Sequence, residues 1–90
     1  MSYKVDFTKK ADKQLKKMDA YVSRKISDWI EENLEGSENP RLYGKALKGT
    51  WEGYWRYCVG DYRIIADIQD DKILILVTEV GHRREIYEGA

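Results

Sequence analysis

The feature that most restricts this chain is a run of alternating side chains broken by one short turn. Trp55, Tyr57 and Val59 fall on one side of an extended segment, with Tyr54, Arg56 and Cys58 on the other. Gly60-Asp61 follows, and then Tyr62, Ile64, Ala66 and Ile68 alternate with Arg63, Ile65 and Asp67. A period of two is that of a strand, and Gly-Asp between two such runs predicts a two-residue hairpin. A weaker turn signal at Asp70-Asp71 leads into a strand from Ile73 to Val80 that opens on the apolar run Ile73 to Val77. Three successive strands joined this way form an antiparallel meander.

The turns set the register. With Gly60-Asp61 as the loop, Val59 opposes Tyr62, Cys58 opposes Arg63 and Arg56 opposes Ile65. With Asp70-Asp71 as the loop, Ile64 opposes Val77 and Arg63 opposes Thr78. One face then holds Tyr57, Val59, Ile64, Ala66, Ile75 and Val77 and is apolar enough that helices should cover it. The other face holds Arg56, Cys58, Arg63, Ile65, Thr78 and Val80 and is expected to stay uncovered. The last strand is expected to stop at Gly81, which lets the chain turn. The tail His82-Arg83-Arg84 then leaves beside Arg56 and Arg63. Several cations near aromatic side chains on an open face suit a phosphate and a base; ordinary strand arginines paired with Asp67, Glu52 or Glu85 are the plain alternative.

Upstream, residues 2–7 alternate as a short strand with Tyr3, Val5 and Phe7 on one side. Thr8 can cap a helix carrying Ala11, Leu15 and Met18 on one stripe. A second helix, opened by Asp19 or Ser23, places Val22, Ile26, Trp29, Ile30 and Leu34 on one stripe and ends near Gly36. The short link between the two predicts a helical hairpin. Residues 37–50 have no period and read as a loop, pinned by Leu42, Tyr43 and Leu47. The expected fold class is therefore α+β, in the order β-α-α-β-β-β, an antiparallel four-stranded sheet with the helical hairpin packed on one face. Ninety residues make a single domain, residues 1–90.

Composition removes several classes. One cysteine, Cys58, leaves no intramolecular disulfide. Lys4 and Asp6 interrupt any secretory signal, and no apolar run approaches the length of a membrane span. The chain is read as soluble and cytoplasmic. The net charge is zero, but the charge is segregated: residues 1–25 hold eight Lys/Arg against three Asp/Glu, and residues 26–39 hold five acids and no base. Such blocks are ordinarily solvated faces. No Asp, His or Cys spacing fits a metal site, and no cofactor is expected.

Leu47-Lys48-Gly49, Trp55-Arg56-Tyr57, Gly60-Asp61-Tyr62-Arg63-Ile64-Ile65 and Val80-Gly81-His82-Arg83-Arg84-Glu85-Ile86-Tyr87, in this order of elements, resemble the RelE branch of the RelE/ParE toxin superfamily of type II toxin–antitoxin systems. The resemblance spans essentially the whole chain. It implies a ribosome-dependent endoribonuclease that cuts mRNA in the A site without a metal. The 2′-hydroxyl attacks the adjacent phosphate and leaves a 2′,3′-cyclic phosphate. It implies Arg63 as a stabiliser of phosphate charge, Arg83 near the leaving oxygen, Tyr87 stacked on or orienting a base, and Arg56 as a basic residue near the 2′-hydroxyl. His82 stands where relatives carry a base or histidine, and on chemical grounds it is the better titrating group. Lys45, Lys48 and Arg84 are the expected RNA contacts. The implied partners are the ribosome, mRNA and a RelB-like antitoxin that covers basic surface and displaces the Tyr87 tail; no membrane or small-molecule cofactor is implied. Cys58 stands where the family has a second basic residue. A ParE-like DNA gyrase inhibitor and a catalytically weakened RelE relative are the alternative readings.

Overall fold

The computed structural model describes residues 1–86. Strand β1 spans Lys4–Phe7, helix α1 Lys9–Lys17 and helix α2 Ala20–Asn33. Then come β2 (Lys45–Ala46), β3 (Trp55–Val59), β4 (Tyr62–Gln69) and β5 (Leu74–His82). The sheet order is β1-β5-β4-β3-β2.

The α+β class and the helices on one face are as expected; the sheet differs in two ways. It has five strands, because the aperiodic loop contributes β2, two residues paired antiparallel to β3. It is also mixed, because β1 pairs parallel to β5, Val5 opposite Ile75. Side-chain alternation tells which residues share a face and carries no information about strand direction or neighbour. Parallel pairing ties the first strand to the last. The outward N–H groups of this edge are occupied: Val5 N–H donates to Glu35 Oε1 at 3.0 Å and Phe7 N–H to Asp6 Oδ1 at 2.8 Å, which blunts the edge against further pairing.

Both helices start and pack for local reasons. The Thr8 hydroxyl accepts from Ala11 N–H at 3.1 Å, satisfying one of the orphan donors of α1. Asp19 holds the cap position of α2 without a side-chain cap bond. Ala11, Leu15, Ile26, Ile30 and Leu34 meet Tyr57, Ile64, Ala66, Ile75 and Val77 in the main core. Each fully buried aliphatic side chain contributes about 1.5–3 kcal/mol. No helix among the described residues is long and apolar enough to cross a membrane.

The β3–β4 hairpin has the expected register, with Val59 opposite Tyr62 and Cys58 opposite Arg63. Gly60 takes the positive φ of +59° that its two-residue loop demands. The β4–β5 register is different. A 3-10 turn, Asp70–Lys72, and a left-handed Ile73 (φ +51°) replace the two-residue loop, and a bulge falls between Ile65 and Ala66. Ile64 therefore opposes Val80 and Arg63 opposes Gly81, in place of Val77 and Thr78. The longer turn moves the register by two, which keeps each side chain on its face. The bulge moves it by one, which carries Val80 into the helix-covered core.

The long loop is held differently as well. Leu42 is 67% exposed and pins nothing. Tyr43 does pin the loop, its ring edge-on to Trp29 at 5.8 Å; Trp55 Nε1 also donates to the Tyr43 carbonyl at 2.7 Å, and the Tyr57 hydroxyl donates to the Pro40 carbonyl. Burial raises the pKa of the Tyr57 phenol, so it stays a donor. Arg41 grips Asp70 through both carboxylate oxygens at 3.1 and 3.0 Å, and the Tyr3 hydroxyl donates to the same carboxylate at 2.7 Å. This clasp joins the chain start, the loop and the β4–β5 turn. Leu47 is buried as expected.

Candidate active site

Residue parity puts three cations on the face away from the main core. Arg56 opposes Ile65 on β4 and Lys45 on β2, so Lys45 and Arg56 stand side by side. Arg63 opposes Cys58, two residues beyond Arg56, and is its diagonal neighbour, at roughly 7–8 Å between backbones. Lys45 is exposed, Arg56 and Arg63 are half-buried, and the Nε atoms of both arginines are buried. Each guanidinium is thus anchored along its stem, and a held cation needs less reorganisation to meet an anion. Arg63 also donates weakly to its neighbour's carbonyl, Tyr62 O, at 3.5 Å.

Gly44 makes this arrangement possible. Its φ is +80°, and a Cβ there would lie 2.3 Å from the Arg56 carbonyl oxygen and 2.8 Å from Trp55 Nε1. Only glycine lets the loop press against β3 and deliver Lys45 opposite Arg56.

The face is less open than the sequence suggests. Leu47, Ile65 and Ile86 form a second buried cluster there, with Trp51 and Tyr54 packed against it. Trp51 ends a 3-10 turn, Gly49–Trp51, and does not begin the strand. Cys58 is exposed beside Arg63.

The tail begins beside Arg63 but is folded down. β5 continues through Gly81 to His82, so Gly81 does not turn the chain. Its role is close approach: a Cβ there would meet Ile86 Cδ1 at 3.0 Å. His82 opposes Tyr62, whose ring it meets edge-on at 5.3 Å. It therefore points to the helix side and not to the face of Arg56 and Arg63. Its Nδ1 accepts from Arg84 N–H at 3.1 Å, and its carbonyl accepts from Glu85 and Ile86 N–H. Arg83 N–H donates to Asp61 O at 2.7 Å and its guanidinium lies 3.8 Å from the Asp61 carboxylate, at the hairpin tip. Arg84 is exposed on the tail turn, and Lys48 is exposed just before the 3-10 turn. Tyr87 lies outside the described residues. Among the described residues no group of three His, Cys, Asp or Glu could hold a metal ion.

Lys45, Arg56 and Arg63 are thus brought together, Arg83 stands at the adjoining tip, and His82 is turned away. Sequence reasoning placed Tyr54 on this side with Arg56 but missed Trp51, which the 3-10 turn carries there and which no alternation signals.

A small sheet with helices on one face and cations on the other defines a class shared with known toxins. The model of the ParE toxin of type II toxin–antitoxin systems matches residues 5–87, and the chain belongs to this family. It is 34% identical over 87 residues to toxin RelE3 of Methanocaldococcus jannaschii, covering 94% of this chain and 96% of that one. It is 29% identical over 93 residues to the mRNA interferase toxin RelE of Escherichia coli (strain K12), covering 100% of this chain and 95% of that protein. The structure of the toxin–antitoxin complex RelBE2 from Mycobacterium tuberculosis aligns with a TM-score of 0.83 and 25% identity over 94% of this chain and 95% of the other. The chain is a RelE-family toxin of a type II system.

Proposed function

We propose that this toxin is a ribosome-dependent endoribonuclease that cleaves mRNA in the A site and is silenced by a RelB-like antitoxin. The observation that carries this is the in-register cluster of Lys45, Arg56 and Arg63. A phosphate attacked by its own 2′-hydroxyl becomes a dianionic phosphorane, and anchored guanidinium groups match its oxygens with paired donors. Attack forms the bond from O2′ to phosphorus and breaks the bond to O5′. The products are a 2′,3′-cyclic phosphate and a 5′-hydroxyl, and the proton lost by O2′ balances the one gained by O5′. This route asks for no metal or organic cofactor. Arg63 and Arg56 stabilise the phosphorane, Arg83 at the hairpin tip faces the leaving group, and Tyr87 serves a base. Lys48 and Arg84 extend the RNA contacts along the loop and the tail. His82 can reach the reacting groups only after the 82–86 turn opens, since its ring lies on the Tyr62 side. A ribosome substrate implies a cytoplasmic site of action.

Support from relatives is of two kinds: one is named an mRNA interferase, and similar structures are complexes of toxin with RelB antitoxin. The second reading is a gyrase-blocking binding protein, favoured by the family model's ParE description. Induction followed by mapping of message ends separates them. The RelE reading expects translation arrest and new ends within the A-site codon. Intact messages with arrested DNA supercoiling would support the other.

A further inference from the structure

A half-buried aromatic pair, Trp51 and Tyr54, stands on the cation face. Leu47 N–H donates to the Tyr54 carbonyl at 3.0 Å, one step beyond the Ala46–Trp55 pair. The β2–β3 ladder therefore continues, and Tyr54 shares the face of Arg56, two residues and roughly 7 Å along the strand. Trp51 folds back onto Tyr54, ring centroids 5.5 Å apart and planes at 85°. Both rest on Leu47, Ile65 and Ile86 and keep part of their surface in solvent. Aliphatic side chains would close so small a cluster equally well. The positive φ of Gly49, +67°, sets up the turn that brings the Trp51 indole back to this rim.

Along one face the order is therefore Arg63, then Arg56 with Lys45, then the Tyr54–Trp51 pair. A single strand whose phosphate is held by the arginines extends its next base toward the aromatic pair. Cations that track a backbone beside rings that stack bases are the usual makeup of single-strand sites. Resting on the nuclease reading above, we infer that Trp51, backed by Tyr54, is a base-stacking platform for a nucleotide flanking the scissile phosphate. It favours purines, whose larger rings cover more of the indole.

The test uses the full-length toxin and two substitutions, Trp51→Leu, which keeps the apolar cover of Ile65, and Trp51→Phe, which keeps a ring. Cleavage is measured on ribosomes programmed with messages that differ only at the base beside the cut. Wild type is expected to prefer purine there. Trp51→Leu should melt within a few degrees of wild type, lose about tenfold in cleavage of the purine message, and flatten the preference; Trp51→Phe should restore most of both. Binding is measured separately with a short fluorescent oligoribonucleotide and the same strand carrying one abasic position. Wild type should discriminate between them, and Trp51→Leu should not. If wild type cleaves and Trp51→Leu keeps its rate and preference, the stacking role is overturned and the nuclease reading stands. If wild type neither cuts message nor binds either strand, both are overturned together.

Discussion

On the helix side of the sheet, Tyr57, Ile64, Ala66, Ile75 and Val77 have no solvent exposure. On the other side, the residues between them, Arg56, Cys58 and Arg63, keep contact with water. Strands β3 and β4, read at alternate positions, thus supply a core on one face and a charged surface on the other. The covered face gains from every methylene it hides. The charged face keeps its arginines half-buried with their stems held, the arrangement that the proposed anion recognition would use. The two faces should therefore fail differently when mutated.

The largest effect is expected on the covered face. Ile64→Ala should cost about 2–5 kcal/mol, through lost burial and the cavity left among Tyr57, Val80 and the helices. Urea unfolding reads this directly. For a domain of this size, that is a large share of total stability.

Next comes the close approach of the loop to β3. Gly44→Ala puts a Cβ against backbone at Arg56, where nothing flexible can move away. It should lose a few kcal/mol at most if the loop stays docked, and less if the loop detaches. Detachment would lower cleavage along with the Lys45 contact, so rate and melting temperature should fall together. A fall in melting temperature with full cleavage would separate Lys45 from the site.

The tail is expected to be weaker than either face. Ile86 is its one buried described residue, and it lies against Gly81. Gly81→Val should push it off, raising hydrogen exchange at residues 82–86 with little change in the global melt. The cognate antitoxin should produce the same rise in wild type if it takes the tail's place. Unchanged exchange on adding antitoxin would leave the tail outside the partner's footprint.

The smallest effect concerns the exposed Arg41–Asp70–Tyr3 clasp. Arg41 first, then Tyr3, holds the Asp70 carboxyl below the usual carboxylate range. A folded value below the unfolded one stabilises the fold above the ordinary carboxylate pKa, and this is lost as pH falls through the lowered value. Asp70→Asn should therefore melt slightly below wild type near neutrality and converge with it in strong acid. The groups are solvent-exposed, so the gap is modest. Melting temperature against pH checks it.

Much of this contrast was legible in the residues. The parity of Arg56, Ile65, Cys58 and Arg63 followed from one Gly-Asp turn, because a two-residue loop leaves a single register. The position of Val80 did not follow, because a bulge at Ile65/Ala66 leaves no mark in the apolar pattern. His82 was misplaced for the same reason: one extra residue turned it to the Tyr62 side. β1's parallel partner was invisible because pairing across the whole chain is decided by packing and not by alternation. The role of Gly44 needed the closeness of the Arg56 carbonyl, which no local sequence signal reports.

In the proposed function the charged face cuts RNA through anchored guanidinium groups, of which Arg63 lies beside the hairpin turn. Arg63 lies on the face away from the main core, and Arg63→Ala should change stability by less than about 0.5 kcal/mol. Message cleavage on programmed ribosomes should fall by roughly a hundredfold or more, about 2.7 kcal/mol of transition-state stabilisation. Arg63→Lys should recover only part, since an ammonium cannot make the paired contact. An Arg63→Ala protein that melts like wild type and cleaves message at the wild-type rate would mean that the charged face does not cut RNA through Arg63.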